Sequence, residues 1–139
     1  NILYGTTNGL SRSGDSYFIQ NSILGAGSSN TSDDFGAAVT LGDLNSDGYL
    51  DLIIGAPGET INGHTNAGVA HILYGTANGM SSTGNELLHV DQDAFTGNAE
   101  TNGQFGTALL IIEDDLIIGS PGATISGAAG AGAIYCLSQ

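Results

Sequence analysis

Two long segments of this chain are near copies of each other, and this internal repeat restricts the folds that the chain can adopt. At an offset of 70 residues, Ile2–Ser11 returns as Ile72–Ser81 with eight of ten positions identical. Further along, Asp51–Gly55 returns as Asp115–Gly119, but the offset has fallen to 64. The residues lost belong to an Asp-rich loop, which the second copy replaces with a short turn. The chain is therefore built from one structural unit that is repeated.

Each copy reads as four short strands, and no segment has sustained helical periodicity. The strand candidates are Gly36–Leu41, Asp51–Gly55 and Gly68–Tyr74, with Tyr17–Gln20 and Leu87–Val90 as weaker outer strands. A long period with several strands per repeat predicts an all-β fold of β-propeller blades, each a four-stranded antiparallel sheet. A β-solenoid is the competing architecture, but it expects much shorter repeats with a metal loop in nearly every turn.

The phase of the repeat divides the chain into three parts. We expect residues 1–34 to be the end of a preceding blade (its third and fourth strands), 35–104 to be a blade with the Asp-rich loop, and 105–139 to be a partial blade with a shortened loop. Natural propellers have about four to eight blades. Two-plus blades therefore predict an incomplete ring or one that an oligomer completes. Glycines near Pro57 and Val69 are expected to allow close backbone approach.

The Asp-rich loop carries the most specific chemistry in the sequence. Oxygen-bearing side chains stand at Asp43, Asn45, Asp47 and Asp51, and Tyr49 would add its main-chain carbonyl. Ca²⁺ binds about six to eight such oxygens in a short curled loop. Gly48 suits the sharp turn, because glycine enters positive φ at little cost. The alternative is an Asx- and glycine-rich turn that binds nothing.

The loop is not an EF-hand. That motif requires a glutamate at its twelfth position, where this chain has Ile54, and it requires flanking helices. Here Asp51 opens an apolar, β-branched run, so the loop is predicted to join two strands.

The ordered motifs resemble a known family. Phe35-Gly36, the loop from Asp43 to Asp51 and Gly55-Ala56-Pro57 together resemble an FG-GAP repeat, the blade unit of the integrin α-subunit propeller and of many bacterial and cyanobacterial secreted proteins. The resemblance implies that Asp43, Asn45, Asp47, Tyr49 (through its carbonyl) and Asp51 hold Ca²⁺ between the first two strands of a blade. The second copy keeps Phe105-Gly106 but has only Glu113, Asp114 and Asp115 where the loop would be.

Charge and hydropathy exclude several function classes. The 139 residues carry 14 acids and a single base, Arg12, for a formal charge of −13. We expect no nucleic-acid or anionic-membrane binding, since both draw affinity from Lys and Arg. No apolar run is long enough for a membrane span. An acidic surface and a loop suited to millimolar calcium predict an extracellular or cell-surface location.

The sequence gives little support for catalysis, and we expect no enzyme activity. His64, His71 and His89 lack neighbours at metal-ligand spacing. The acidic groups Asp33-Asp34, Asp91/Asp93 and Asp114-Asp115 are expected to be solvated loop residues, although Asp91 and Asp93 could assist a weaker cation site. The lone Cys136 is expected to be a buried small hydrophobe.

These features predict a calcium-binding extracellular β-propeller module for protein interaction, adhesion or self-assembly. The expected partners are a protein ligand or another copy of the chain, with glycan as a further candidate. In self-association, strands after Asn1 would complete the blade left open at Gln139 of a neighbour. Two alternatives are a structural subunit of an extracellular filament or matrix, and a non-catalytic part of a secreted hydrolase or lyase.

Overall fold

The computed structural model describes residues 1–23 and 29–138, so the predicted open edge at Gln139 lies outside the described residues. Over the described residues the fold is all-β, and the one helical element among them is a short 3-10 turn at Gln20–Ser22. The strands are β1 (Ile2–Thr6), β2 (Gly9–Ser16), β3 (Ala38–Gly42), β4 (Asp51–Ala56), β5 (Val69–Leu73), β6 (Gly75–Thr76), β7 (Gly79–Met80), β8 (Glu86–Leu88), β9 (Ala108–Ile112), β10 (Asp115–Ser120) and β11 (Ala133–Leu137).

The central sheet, which we call the 38–88 sheet, has the strand order β3-β4-β5-β8, and all of its pairs are antiparallel. This four-stranded arrangement confirms the predicted blade. Its second strand, β4, is buried almost throughout, because both faces are covered, as its near-continuous apolar run predicts. The small β6-β7 hairpin lies between β5 and β8 in the chain.

The second copy forms a three-stranded antiparallel sheet, the 108–137 sheet, in the order β11-β10-β9. Ile112 pairs directly with Asp115, so β9 and β10 are joined by a tight turn in which Glu113 has a φ of 55°. The sequence predicted this shortened turn. The two copies therefore differ mainly in what joins their first two strands.

The two sheets pack face to face around one core. The core includes Ile53 and Ile72 of the 38–88 sheet together with Leu116 and Ile118 of the 108–137 sheet, and Phe105 is fully buried among them. Backbone bonds reinforce the contact, since the N–H of Phe105 donates to the carbonyl of Ala67 at 2.9 Å.

Glycine makes this close packing possible. A Cβ at Gly55 would lie 2.0 Å from the carbonyl oxygen of Gly106, and one at Gly68 would lie 2.2 Å from that of Phe105. Real Cβ atoms do not approach a backbone oxygen so closely, so only glycine fits at these positions. The expected close backbone approach is confirmed.

Residues 2–16 form a separate hairpin in which β1 pairs with β2. The predicted outer strand Tyr17–Gln20 is wrong, because β2 ends at Ser16 and the chain then turns into the 3-10 element. Leu87–Val90 is shifted as well, since β8 spans Glu86–Leu88. Both segments were weak candidates because their apolar residues alternate for only a few positions.

One face of the 108–137 sheet is not covered by the described residues. Leu110, Ile112 and Ile134 on this face are 50%, 52% and 77% exposed. Cys136 pairs with Ile117 on the same face and is also exposed, so the expected burial of Cys136 is wrong. Alternation along β11 turns Tyr135 and Leu137 to the core and leaves Cys136 on the outside.

Candidate metal centre

The aspartate loop, residues 43–51, connects the first two strands of the 38–88 sheet. Gly42 ends β3 and pairs with Asp51, which begins β4. Between them the chain curls sharply, with a φ of 57° at Ser46 and 89° at Gly48. The sequence predicted both the location between two strands and the glycine at the turn.

Side chains inside the loop accept hydrogen bonds from the loop's own backbone. The carboxylate of Asp43 accepts the N–H groups of Asp47 at 3.0 Å and Gly48 at 2.8 Å. Asn45 Oδ1 accepts the N–H of Asp47 at 3.1 Å, and Asp47 Oδ1 accepts the N–H of Tyr49 at 2.8 Å. These contacts order the curl and group three oxygen-bearing side chains at its centre.

Asp51 lies in a different environment from the other acids of the loop. Its side chain is 0% exposed, whereas Asp47 is on the surface. Its Oδ2 accepts the N–H of Leu44 at 2.8 Å, and its Oδ1 accepts the N–H of Gly75 at 2.9 Å. Both oxygens therefore already have backbone donors. The sequence marked Asp51 but gave no indication of Leu44 or Gly75 as its partners.

The donor set fits a hard cation in its chemistry. Its atoms are carboxylate, amide and carbonyl oxygens, which Ca²⁺ prefers, and a carboxylate oxygen that accepts one N–H keeps a free lone pair. Asn45 Nδ2 also donates to Asp47 Oδ2 at 3.1 Å, which holds these two side chains together. Within residues 1–23 and 29–138, no three His, Cys, Asp or Glu side chains converge closely enough to hold a metal. Asp43, Asn45 and Asp47 are linked by hydrogen bonds to one another's backbone and side chains, whereas the hydrogen bonds of Asp51 go to Leu44 and Gly75.

A cavity of about 620 Å³ lies beside the end of the loop. Tyr49 and Leu50 form its wall on the loop side, Leu41 lines it from β3, and Ile2 and Tyr4 face it from the β1–β2 hairpin. Its lining is mainly apolar, so the aspartate loop borders a concave surface suited to apolar groups.

A second acidic group lies away from the loop. Asp33 and Glu59 are 5% and 7% exposed, so the expectation that Asp33 is a solvated loop acid is wrong. Gln20 Nε2 donates to Glu59 Oε2. Burial, with a contribution from the charge of Asp33, raises the pKa of Glu59 above its usual value. No local pattern of residues pointed to Glu59, because its neighbours Gln20 and Asp33 are distant along the chain.

Two other candidates from the sequence, Asp91 and His71, make contacts within the fold. Asp91 Oδ2 accepts Asn62 Nδ2 at 2.6 Å, and its Oδ1 accepts the N–H of Ala99, a bond that lowers the pKa of this carboxyl. Asp91 thus joins two loops. His71 is fully buried on β5 against the ring of Phe35, with centroids 5.4 Å apart.

Comparison with known proteins identifies the repeat. Residues 35–73, which contain β3, the aspartate loop, β4 and β5, match the family model described as FG-GAP repeat. The chain contains an FG-GAP repeat. This confirms the resemblance carried by Phe35-Gly36, the loop and Gly55-Ala56-Pro57, and the all-β sheets are blades of the FG-GAP β-propeller type.

Curated relatives of this FG-GAP chain fall into two groups. The human phosphatidylinositol-glycan-specific phospholipase D is 32% identical over 108 residues, covering 72% of this chain and 12% of the relative. The mouse protein of the same name is 32% identical over 92 residues, covering 62% and 11%. Chicken integrin alpha-8 is 36% identical over 97 residues, covering 64% and 9%. The chain spans about a tenth of the length of these relatives.

Across the described parts of the chain, no helix is both long and apolar enough to cross a membrane.

Proposed function

We propose that this chain is a calcium-binding part of an extracellular or cell-surface β-propeller, which acts in protein interaction, adhesion or self-assembly. The observation that carries this proposal is the aspartate loop, whose oxygen-bearing side chains are grouped between the first two strands of an FG-GAP repeat. In this proposal the blade spans residues 35–104, the preceding partial blade 1–34 and the following partial blade 105–139.

The calcium would be held by Asp43, Asn45, Asp47 and Asp51 and by the carbonyl of Tyr49. The cation would supply positive charge to a loop that has three carboxylates and no basic residue. Because a ligand that binds only the folded state stabilises it by mass action, a hundredfold excess over Kd adds about 2.7 kcal/mol. Millimolar extracellular calcium suits loops with a Kd of about 10⁻⁴–10⁻³ M.

An Asp47→Ala variant tests the calcium assignment. Calorimetric titration of the parent should show one calcium site, and calcium should raise its melting temperature by several degrees. Asp47→Ala should lose both effects, because its carboxylate is exposed and is grouped with Asn45. Asp114→Ala, in the turn that replaces the loop in the second copy, is the matched control and should behave as the parent. An equal calcium-induced rise in Asp47→Ala would contradict the assignment.

The self-association arm is supported by how the two sheets already pack. The face of the 38–88 sheet that carries Ile53 and Ile72 is covered by the 108–137 sheet. In the second copy, the residues that correspond to Ile53 and Ile72 are Ile117 and Cys136, and they lie on the uncovered face of the 108–137 sheet. That face is bulkier, since Leu110 and Ile112 replace Thr40 and Gly42. A second copy would cover this face with the face of its 38–88 sheet that points away from the 108–137 sheet.

The 38–88 sheet has an exposed apolar face that could cover the 108–137 sheet of a second copy. Val39 and Leu41 on β3 are 62% and 54% exposed, and they lie on the side of the 38–88 sheet away from the 108–137 sheet. They correspond to Leu109 and Ile111, which cover the first blade inside the molecule. Copies would therefore associate head to tail, with Ile134 of one near Val39 of the next. The same contacts would build the filament or matrix subunit.

A second candidate function is a non-catalytic part of a secreted enzyme. It is favoured by the match to relatives named phosphatidylinositol-glycan-specific phospholipase D. In that case the chain would position a catalytic region that acts on a glycan-linked phospholipid. Turnover of such a lipid by this chain alone would show that the chain is itself an enzyme, and would contradict both candidates.

A further inference from the structure

Asp51 differs from the other predicted calcium ligands in what its carboxylate already does. It is fully buried and accepts one N–H from Leu44, near the start of the loop, and one from Gly75, at the beginning of β6. These two partners are 31 residues apart in the chain. One side chain thus connects the entry of the aspartate loop to the corner between β5 and β6.

The same corner also contacts the exit of the loop. A Cβ at Gly75 would lie 2.3 Å from the carbonyl oxygen of Leu50 and 3.0 Å from the Cβ of Tyr49. Gly75 therefore packs directly against the backbone that presents the Tyr49 carbonyl. Gly5 is the matching residue of the earlier copy, and a Cβ there would have nothing within 4 Å. The close contact at Gly75 is a contact with the aspartate loop of its own copy.

The second copy keeps an aspartate at the position of Asp51. It has lost the counterparts of Asp43, Asn45 and Asp47 but keeps Asp115, the counterpart of Asp51, at the start of β10. An aspartate here therefore occurs without the rest of the ligand set.

The hydrogen bonds of Asp51 are favourable for the carboxylate and for its two backbone donors. A buried carboxylate is unfavourable unless it is hydrogen-bonded, and the two backbone donors provide that compensation. In return, the carboxylate satisfies two buried N–H groups that would otherwise be left without partners.

We propose that Asp51 and Gly75 form a metal-independent clamp that holds the aspartate loop in its curled shape before calcium binds. Asp51 is the positioning residue of this loop, whatever contact it also makes with the cation. Because the loop is already ordered, calcium binding does not have to include the entropy cost of ordering it, and the affinity for calcium is higher. The effect of the clamp on calcium affinity rests on the proposed function, whereas the clamp itself does not.

The decisive experiment compares Asp51→Asn with Asp47→Asn in the full chain in EDTA. Both variants remove one charge from the loop. Asp51→Asn places an NH₂ group against a buried backbone donor, so its melting temperature should fall by about 5–10 °C. Asp47→Asn should stay within about 2 °C of the parent. Equal melting temperatures for Asp51→Asn and the parent in EDTA would overturn the clamp.

A measurement on the parent keeps the inference testable even when Asp51→Asn does not fold. In EDTA the amides of Leu44 and Gly75 should exchange with solvent at least a hundredfold more slowly than the amide of Asn45 in the same loop. Fast exchange of both amides in EDTA, with protection only after calcium is added, would show that the carboxylate orders the loop only with metal, and would overturn the clamp.

Gly75→Ala tests the effect on affinity, because Gly75 is not itself a ligand. Its methyl group would displace the Tyr49–Leu50 backbone, so calcium Kd should rise about tenfold while the chain stays folded. Gly5→Ala should leave Kd unchanged. An unchanged Kd in Gly75→Ala would overturn the positioning role. If the parent binds no calcium, the proposed function fails, and the melting and exchange results in EDTA still decide the clamp.

Discussion

At the scale of single residues, burial decides what a polar side chain does in this chain. His71 was one of three histidines with no distinguishing neighbour in the sequence. In the fold it is fully buried on β5, and neither ring nitrogen has a hydrogen-bond partner in the described structure. Burial lowers its pKa to about 4 from the usual 6.5. The neutral ring is thus part of the core.

This residue predicts a loss of stability in mild acid. The folded pKa lies below the unfolded pKa, so the unfolded chain binds the proton more tightly. The contribution is fully present above pH 6.5 and is lost as the pH falls towards 4. Each unit between the two pKa values is worth about 1.4 kcal/mol, which gives a loss of about 2–3 kcal/mol by pH 4.5.

The measurement is urea unfolding of the parent and of His71→Leu at pH 7 and pH 4.5. The variant should lose less stability than the parent, because leucine does not titrate. Acidic groups such as Glu59, whose raised pKa acts in the opposite direction, are common to both proteins and cancel in the comparison. Identical losses in parent and variant would show that His71 is not responsible.

At the scale of elements, the two sheets can approach closely because glycines, which have no side chain, lie where they meet. Gly55 lies in β4, and Gly106 precedes β9, with its N–H donating to the carbonyl of Gly119. Gly106 has a φ of 89°, and a Cβ on it would lie 2.3 Å from the carbonyl oxygen of Val69. The sheets meet through backbone, so their spacing is set by these positions.

Substituting Gly55 should therefore destabilise the contact between sheets. Gly55→Ala forces the Gly106 backbone to move, and we expect a loss of about 2–3 kcal/mol in the free energy of unfolding. Gly5→Ala, where a Cβ meets open space, should change stability by less than about 0.5 kcal/mol. Denaturant titration of both variants measures the difference. A neutral Gly55→Ala would contradict the close backbone contact between the two sheets.

At the scale of the whole molecule, each of the two sheets has one exposed apolar face that points away from the other sheet. One carries Leu110, Ile112 and Ile134, and the other carries Val39 and Leu41. Neighbouring exposed apolar side chains of this kind are typical of interaction sites. The formal charge of −13 opposes association, so any contact that forms must overcome mutual repulsion, and calcium and salt should favour it.

Sedimentation velocity in millimolar calcium tests the head-to-tail contact. The parent should form oligomers, and Ile134→Asp and Val39→Asp alone should each be monomers. Mixing the two variants should restore a dimer, because each retains the face that the other lacks. Leu10→Asp, which also replaces an exposed apolar side chain, is the control and should behave as the parent. A monomeric parent at micromolar concentration would contradict self-association.

The sequence by itself determined the features that are written locally or by repetition. The offset between copies gave the blades, the alternation in β5 gave its two faces, and the Asp-rich segment with Gly48 gave the curled loop between β3 and β4. Each depends on neighbours within a few residues or on a second copy of the same pattern. The ligand assignment from Asp43 to Asp51 stays a prediction.

Only the tertiary structure decided what distant segments do to one another. The role of Asp51 depends on Gly75, the burial of Glu59 on Gln20 and Asp33, and the exposure of Cys136 on which face of β11 meets the core. The predicted strand at Tyr17–Gln20 failed because its few residues carry too little periodicity to outweigh the chain's turn into the 3-10 element. Contacts of this kind are fixed by packing in three dimensions, and no local pattern of residues encodes them.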